Sequence, residues 1–113
     1  MLLSQDQLQA IITEAEQAAK AAAANYFATM LGGQDGGACG FAWVNIYGIK
    51  GNTKMGKLLK QAGITQDYSR AFQVWNPSKF PCQNVDTLEA GARAYAKVFE
   101  KHGFEAYPGS RLD

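Results

Sequence analysis

From Leu8 to Tyr26 apolar residues return every three to four positions. Leu8, Ile12, Ala15, Ala19 and Ala22 fall on one side, and Ile11, Ala18 and Tyr26 widen it. This spacing predicts an amphipathic helix. Ser4 followed three residues later by Gln7 fits a capping box that opens it. The alanine run carries it to about Met30. Its small residues suit tight packing on another helix, on a second subunit or on the chain's own sheet. The segment from Gly32 to Gly40 has five glycines in nine residues, a loop that is flexible or needs positive φ.

The period then changes. Cys39–Tyr47 alternates as a strand does, with Phe41, Trp43, Asn45 and Tyr47 on one face and Ala42, Val44 and Ile46 on the other. Apolar groups on both faces predict a central, largely covered strand. Met55, Leu58, Leu59 and Ala62 form the apolar side of a short helix that Gly63 ends. Arg70–Trp75 reads as a second strand, stopped by Asn76-Pro77-Ser78. Asp86 with Glu89 is expected to cap a last helix. Gly103 ends that helix, and Phe104–Tyr107 is the last strand. The expected fold is therefore α+β: a small sheet of three or four strands, with a long N-terminal helix and a C-terminal helix packed mostly on one side. Residues 1–113 form a single domain of this kind. Exposed sheet edges predict a homodimer or higher homo-oligomer.

The last helix has three stripes. Leu88, Ala92, Tyr95 and Phe99 form a bulky apolar one; Gly91, Ala94 and Val98 form a small-residue one; Glu89, Arg93, Lys97 and Glu100 form a charged one. Two buried stripes would hold Arg93 and Lys97 one turn apart, a spacing suited to gripping an anion. The same residues also fit a solvated face of Glu–Arg and Lys–Glu pairs.

Composition narrows the chemistry. Net charge is +1, so no whole-molecule field draws the chain to DNA or a membrane. One histidine, His102, and two cysteines, Cys39 and Cys82, leave no set for a zinc site. The N-terminus reads as a polar helix and not a signal peptide, no stretch is apolar enough to span a membrane, and a cytosolic protein with reduced thiols is expected. A Cys39–Cys82 disulfide is the alternative thiol state. Gly51–Lys57 matches the Gly-x-x-x-x-Gly-Lys of a phosphate loop, but Leu58 stands where Ser or Thr would hold magnesium. Lys50, Lys54, Lys57 and Lys60 remain as either a soluble basic surface or a weak phosphate site. Trp75 and Asn76 can stack on a ring and read a base or sugar edge, or form an Asn turn beside a core Trp. Arg111, if the chain end is docked, adds a cation near the last helix. No Ser/His/Asp or Cys/His set is legible, so no enzyme, catalytic residue, metal or cofactor is expected. An enzyme would need Cys39 as nucleophile.

The strings Cys39–Val44 (CGFAWV), Trp75–Pro77 (WNP), Glu89–Val98 (EAGARAYAKV) and Ser110–Asp113 (SRLD) resemble the first family of Thoeris anti-defence proteins, small phage-borne proteins. The resemblance covers most of the chain from Cys39 onward. It implies a sponge that binds and sequesters cyclic ADP-ribose isomers, immune signals of the host bacterial cytosol, without cleaving them. Some members hold cyclic oligonucleotides in a separate pocket, and members assemble as dimers or higher oligomers. The ligand-contacting Asn would fall on Asn76 and the helical Arg pair on Arg93 and Lys97, where Lys keeps the charge and loses the planar grip. The stacking aromatic has three candidates by spacing: Tyr68, Phe72 and Trp75. A sponge needs fixed cations, an aromatic face and an amide, and no metal or nucleophile. The rival readings are a protein-binding inhibitor of a host factor, a small nucleic-acid-binding protein using the four lysines, and a thiol-dependent enzyme.

Overall fold

A computed structural model describes residues 3–113. The elements in chain order are α1 (Gln5–Met30), β1 (Gly40–Tyr47), α2 (Lys54–Gln61), β2 (Thr65–Gln66), β3 (Phe72–Trp75), α3 (Val85–Lys101) and β4 (Glu105–Leu112). The strands form one antiparallel sheet in the order β2-β3-β1-β4. The α+β class and the long helix pair are those read from the pattern. Helix α1 packs on α3, which in turn lies on β1 and β4.

Helix α1 opens with the expected box: Gln7 N–H donates to Ser4 Oγ at 3.1 Å and Ser4 N–H to Gln7 Oε1 at 2.8 Å. Its buried line is Leu8, Ile11, Ile12, Ala15, Ala19 and Ala23. At α3 the expected cap is corrected. Asn84 caps the helix, its Oδ1 accepting from Thr87 N–H at 2.8 Å and Thr87 Oγ–H at 2.9 Å, and Asp86 is an exposed acid in the first turn, favourable at the positive end of the helix. Asn84 wins because its amide also donates to Gly36 O at 2.8 Å, tying the glycine-rich loop to the helix start.

Gly91 lets the two helices meet. A Cβ there would stand 2.6 Å from Ser78 Cβ and 3.2 Å from Ala19 O. On the other side of α3, Tyr95 stacks on Phe99 at 5.1 Å, and Phe99 meets Phe104 at 5.0 Å. Phe72, Leu59, Val44 and Ile46 complete this core between helices and sheet, each contributing about 1.5–3 kcal/mol on burial.

Two sheet expectations change. Strand β1 is central but covered on one face only. Ala42, Val44 and Ile46 are buried beneath the helices, whereas Phe41 and Tyr47 are exposed and Trp43 and Asn45 half-buried on the opposite face. Trp and Tyr on a strand mark a packed face whether or not another layer lies on it. Strand β4 also runs five residues beyond Tyr107, so the chain end is paired along β1 from Glu105↔Tyr47 to Leu112↔Gly40. Asp113 N–H donates to Cys39 O at 3.0 Å. The two-residue β2 was not legible as a strand because a pair of polar residues carries no alternation.

Candidate functional site

The outward side of α3 is set by helical geometry. Leu88, Ala92, Tyr95 and Phe99 take the sheet side and Gly91 takes the α1 side. Arg93 and Lys97 are left on the solvent side, where α3 borders α1, since two residues of helix turn the side chain by about 200°. They line a groove of about 500 Å³ with Ala22 and Tyr26 of α1 and with Asp86, Glu89, Ala90 and Ala94 of α3. This is the size of a small-molecule site. The expected one-turn pair of cations is therefore on one surface, beside an aromatic ring.

Arg93 is not idle in that groove. Its Nη2 donates to Glu89 Oε1, and Ser110 Oγ–H donates to Glu89 Oε2. Ser110 of β4 thus holds Glu89, and Glu89 orients the guanidinium. The pair is the i,i+4 contact of a solvated charged face, and Arg93 keeps four of its five N–H donors for another acceptor. Lys97 is exposed with no ion-pair partner among the described residues.

The other expected site residues lie elsewhere. Asn76 follows β3 at φ 45, with its N–H donated to Ala42 O at 2.9 Å and its C=O accepting from Lys79 N–H at 3.0 Å. This is the Asn-turn arrangement, with an exposed side chain. Trp75 is 50% exposed and stands on the open sheet face, 5.1 Å from Trp43 between ring centres and 6.5 Å from Phe41. Phe72 is fully buried on the opposite face of β3. This removes it from the stacking candidates, because strand alternation points it into the core. Tyr68 is fully exposed in the turn before β3. Arg111 is docked, but the expectation that it lies near α3 is corrected: its guanidinium sits 5.4 Å over the Phe41 ring, on the face away from the helices. Arg93 and Lys97 share a groove; Trp75, Asn76, Tyr68 and Arg111 do not reach it.

The open face is the feature that the sequence left unassigned. Its rows follow from the register: Phe41 with Arg111, Trp75 with Trp43 and Gly109, Gln73 with Asn45 and Tyr107, and Tyr47 with Glu105. Gln73 Nε2–H donates to Asn45 Oδ1 at 3.0 Å. Trp43 lies flat over Gly109, where a Cβ would come within 2.5 Å of the indole nitrogen. Tyr47 and Tyr107 pack at 5.9 Å. The signal was present in Phe41, Trp43 and Tyr47, and the expectation of a largely covered strand hid it.

The remaining candidates are occupied by structural work. Thr53 caps α2, accepting from Gly56 N–H at 3.1 Å and donating to Lys50 O at 2.6 Å, and Lys60 donates to Gly51 O at 3.2 Å. A Cβ on Gly56 would lie 2.2 Å from Lys50 O, so the second glycine of the phosphate-loop match makes room for a carbonyl. Cys39 and Cys82 are free thiols, and burial pushes the Cys82 thiol above its usual range. Lys101, and after it His102, hold the Glu14 carboxyl below its usual range, joining the end of α3 to α1. Among the described residues no group of three or more His, Cys, Asp or Glu is placed to hold a metal. No described helix is long and apolar enough to cross a membrane. Comparison with known proteins finds no matching family model, no matching curated protein and no matching solved structure.

Proposed function

We propose that this protein binds a cyclic nucleotide of the cyclic ADP-ribose class and holds it uncleaved, as a phage-borne sponge for an immune signal in the host bacterial cytosol. The observation that supports this reading is the groove between α1 and α3, where Arg93 and Lys97 stand one turn apart beside Tyr26. A diphosphate would take the two cations and a base or ribose would lie against the tyrosine ring. Arg93 gives a directed donor set and Lys97 a mobile point charge. Glu89, retained by Ser110, keeps the guanidinium aimed while its outer donors meet the ligand.

The test is a thermal-shift panel of cyclic ADP-ribose isomers, cyclic di- and trinucleotides, NAD and ATP, with chromatography of the recovered ligand. At a hundredfold excess over Kd a ligand adds about 2.7 kcal/mol, a rise of roughly 11 °C for a chain of this length. The expected result is such a rise with one cyclic nucleotide, recovered intact, and its loss in Arg93→Ala. Cleavage of the ligand would refute sequestration. No shift with any of them would move the reading to a protein-binding inhibitor of a host factor.

A further inference from the structure

From the open face of the sheet we infer that a second copy of this chain docks there, sheet on sheet, with the strands of the two copies running in opposite directions across a two-fold axis perpendicular to them. This goes beyond the nucleotide reading and does not depend on it. Four of the exposed large apolar side chains, Phe41 (40%), Tyr47 (39%), Trp75 (50%) and Tyr107 (52%), share this one surface. Helices cover the other face alone. A flat aromatic surface with few charges has the composition of a protein interface core. Trp43 lying down over Gly109 and the mutually bonded Gln73 and Asn45 keep it level and leave the amide pair satisfied.

The charges choose the occupant. The face carries Arg111 at one end of β4 and Glu105 at the other, about 20 Å apart at strand rise. Neither has an ionic partner within the chain among the described residues. A nucleic-acid strand would need a row of cations along the aromatics, and the paired strands of this face place Arg111 at one end of β4 and the acid Glu105 at the other. A second copy turned about the stated axis lays β4 over β4 with its ends exchanged. Arg111 then meets Glu105 of the second copy, and the same contact repeats at the other end, as an isologous interface requires. The aromatic rows fill the layer between, at the usual sheet-to-sheet spacing of about 10 Å. Both charged ends lie at the rim, where they select orientation more than they add affinity.

Sedimentation velocity of the full chain over a wide dilution series tests this. Wild type is expected to dimerise reversibly. Arg111→Glu alone and Glu105→Arg alone each set like charges face to face and should raise the dimer Kd about tenfold or more. Both side chains are exposed, and unchanged far-UV circular dichroism and melting of the dilute monomers confirm the fold. Mixing the two variants restores opposite charges at both ends, so the mixture should dimerise as wild type does. A wild type monomeric at every concentration overturns the inference. So does a dimer indifferent to both reversals, or two weakened variants whose mixture stays monomeric.

Discussion

Replacing Gly91 by alanine sets two effects of opposite sign against each other. Alanine is the better helix former by about 1 kcal/mol at an interior position, so on local grounds Gly91→Ala stabilises α3. The packing says otherwise. The new methyl would lie 2.6 Å from Ser78 Cβ, 3.0 Å from Ser78 Oγ and 3.2 Å from the Ala19 carbonyl oxygen. Ser78 is fully buried and its Oγ accepts from Phe80 N–H at 3.2 Å, so it cannot swing away, and the carbonyl is helix backbone. The overlap of about 1 Å is with Ser78, which must be pushed off α3, while the α1 backbone at Ala19 must give by a few tenths of an ångström. Overpacking of this kind costs about 1–3 kcal/mol and occasionally more, with backbone on one side placing it at the upper end. The net expectation is a loss of about 1–2 kcal/mol, or roughly 4–8 °C in Tm for a chain of this length. Differential scanning calorimetry or urea unfolding reads it directly. Ser78→Gly in the same chain removes the nearest clash, so the double variant should lie above the sum of the two single effects by about 1 kcal/mol. A Gly91→Ala protein more stable than wild type would refute the close approach of the helices. The groove would lose its basis too, because that approach brings Tyr26 across from Arg93 and Lys97.

Arg93→Ala should abolish nucleotide binding with an unchanged fold, and Lys97→Ala should weaken it about tenfold or more as one charge-assisted contact is lost; isothermal titration of both variants checks the pair. Asn76 holds φ 45, so Asn76→Gly should leave Tm nearly unchanged while Asn76→Val costs about 1–2 kcal/mol from left-handed strain, and equal Tm values for the two would refute the turn assignment. Burial drives the Tyr95 phenol far above its ordinary range, with Glu16 adding to the effect. The folded state therefore favours the neutral phenol, its contribution is complete below the ordinary value of about 10 and is lost as pH rises above it. Tyr95→Phe should flatten the fall of Tm on the alkaline side, and an equally steep fall in the variant would show that another group sets it. Lys57→Ala should leave nucleotide binding intact, because α2 lies outside the groove; a strong loss in titration would move the site to the lysine-rich loop.

The long helix, its capping box and the end of α3 at Gly103 were legible because they are encoded within a turn or two of chain: an apolar stripe, Ser4 with Gln7, a glycine at a left-handed stop. The alternation of Cys39–Tyr47 likewise predicted a strand and the correct division of its side chains into two faces. Which face another layer covers is a different kind of fact. It depends on where α1 and α3 cross the sheet, and Ala42 and Trp43 are both compatible with either side. The same reason separates the candidate site residues. Arg93 and Lys97 are one turn apart on one helix, so their shared surface followed from sequence. Tyr26 joined them only because Gly91 lets α1 lie against α3. Phe72 and Trp75 looked equivalent as aromatics in one short strand, yet alternation together with the single covered face buries the first and exposes the second. Asn84 displaced Asp86 as the cap through a bond to Gly36, 48 residues away in the chain. The chain thus determined its helices, its central strand, their stripes and its charged pair by local periodicity. The tertiary structure decided which stripes are covered, since burial is a property of what lies opposite, and opposite neighbours come from distant sequence.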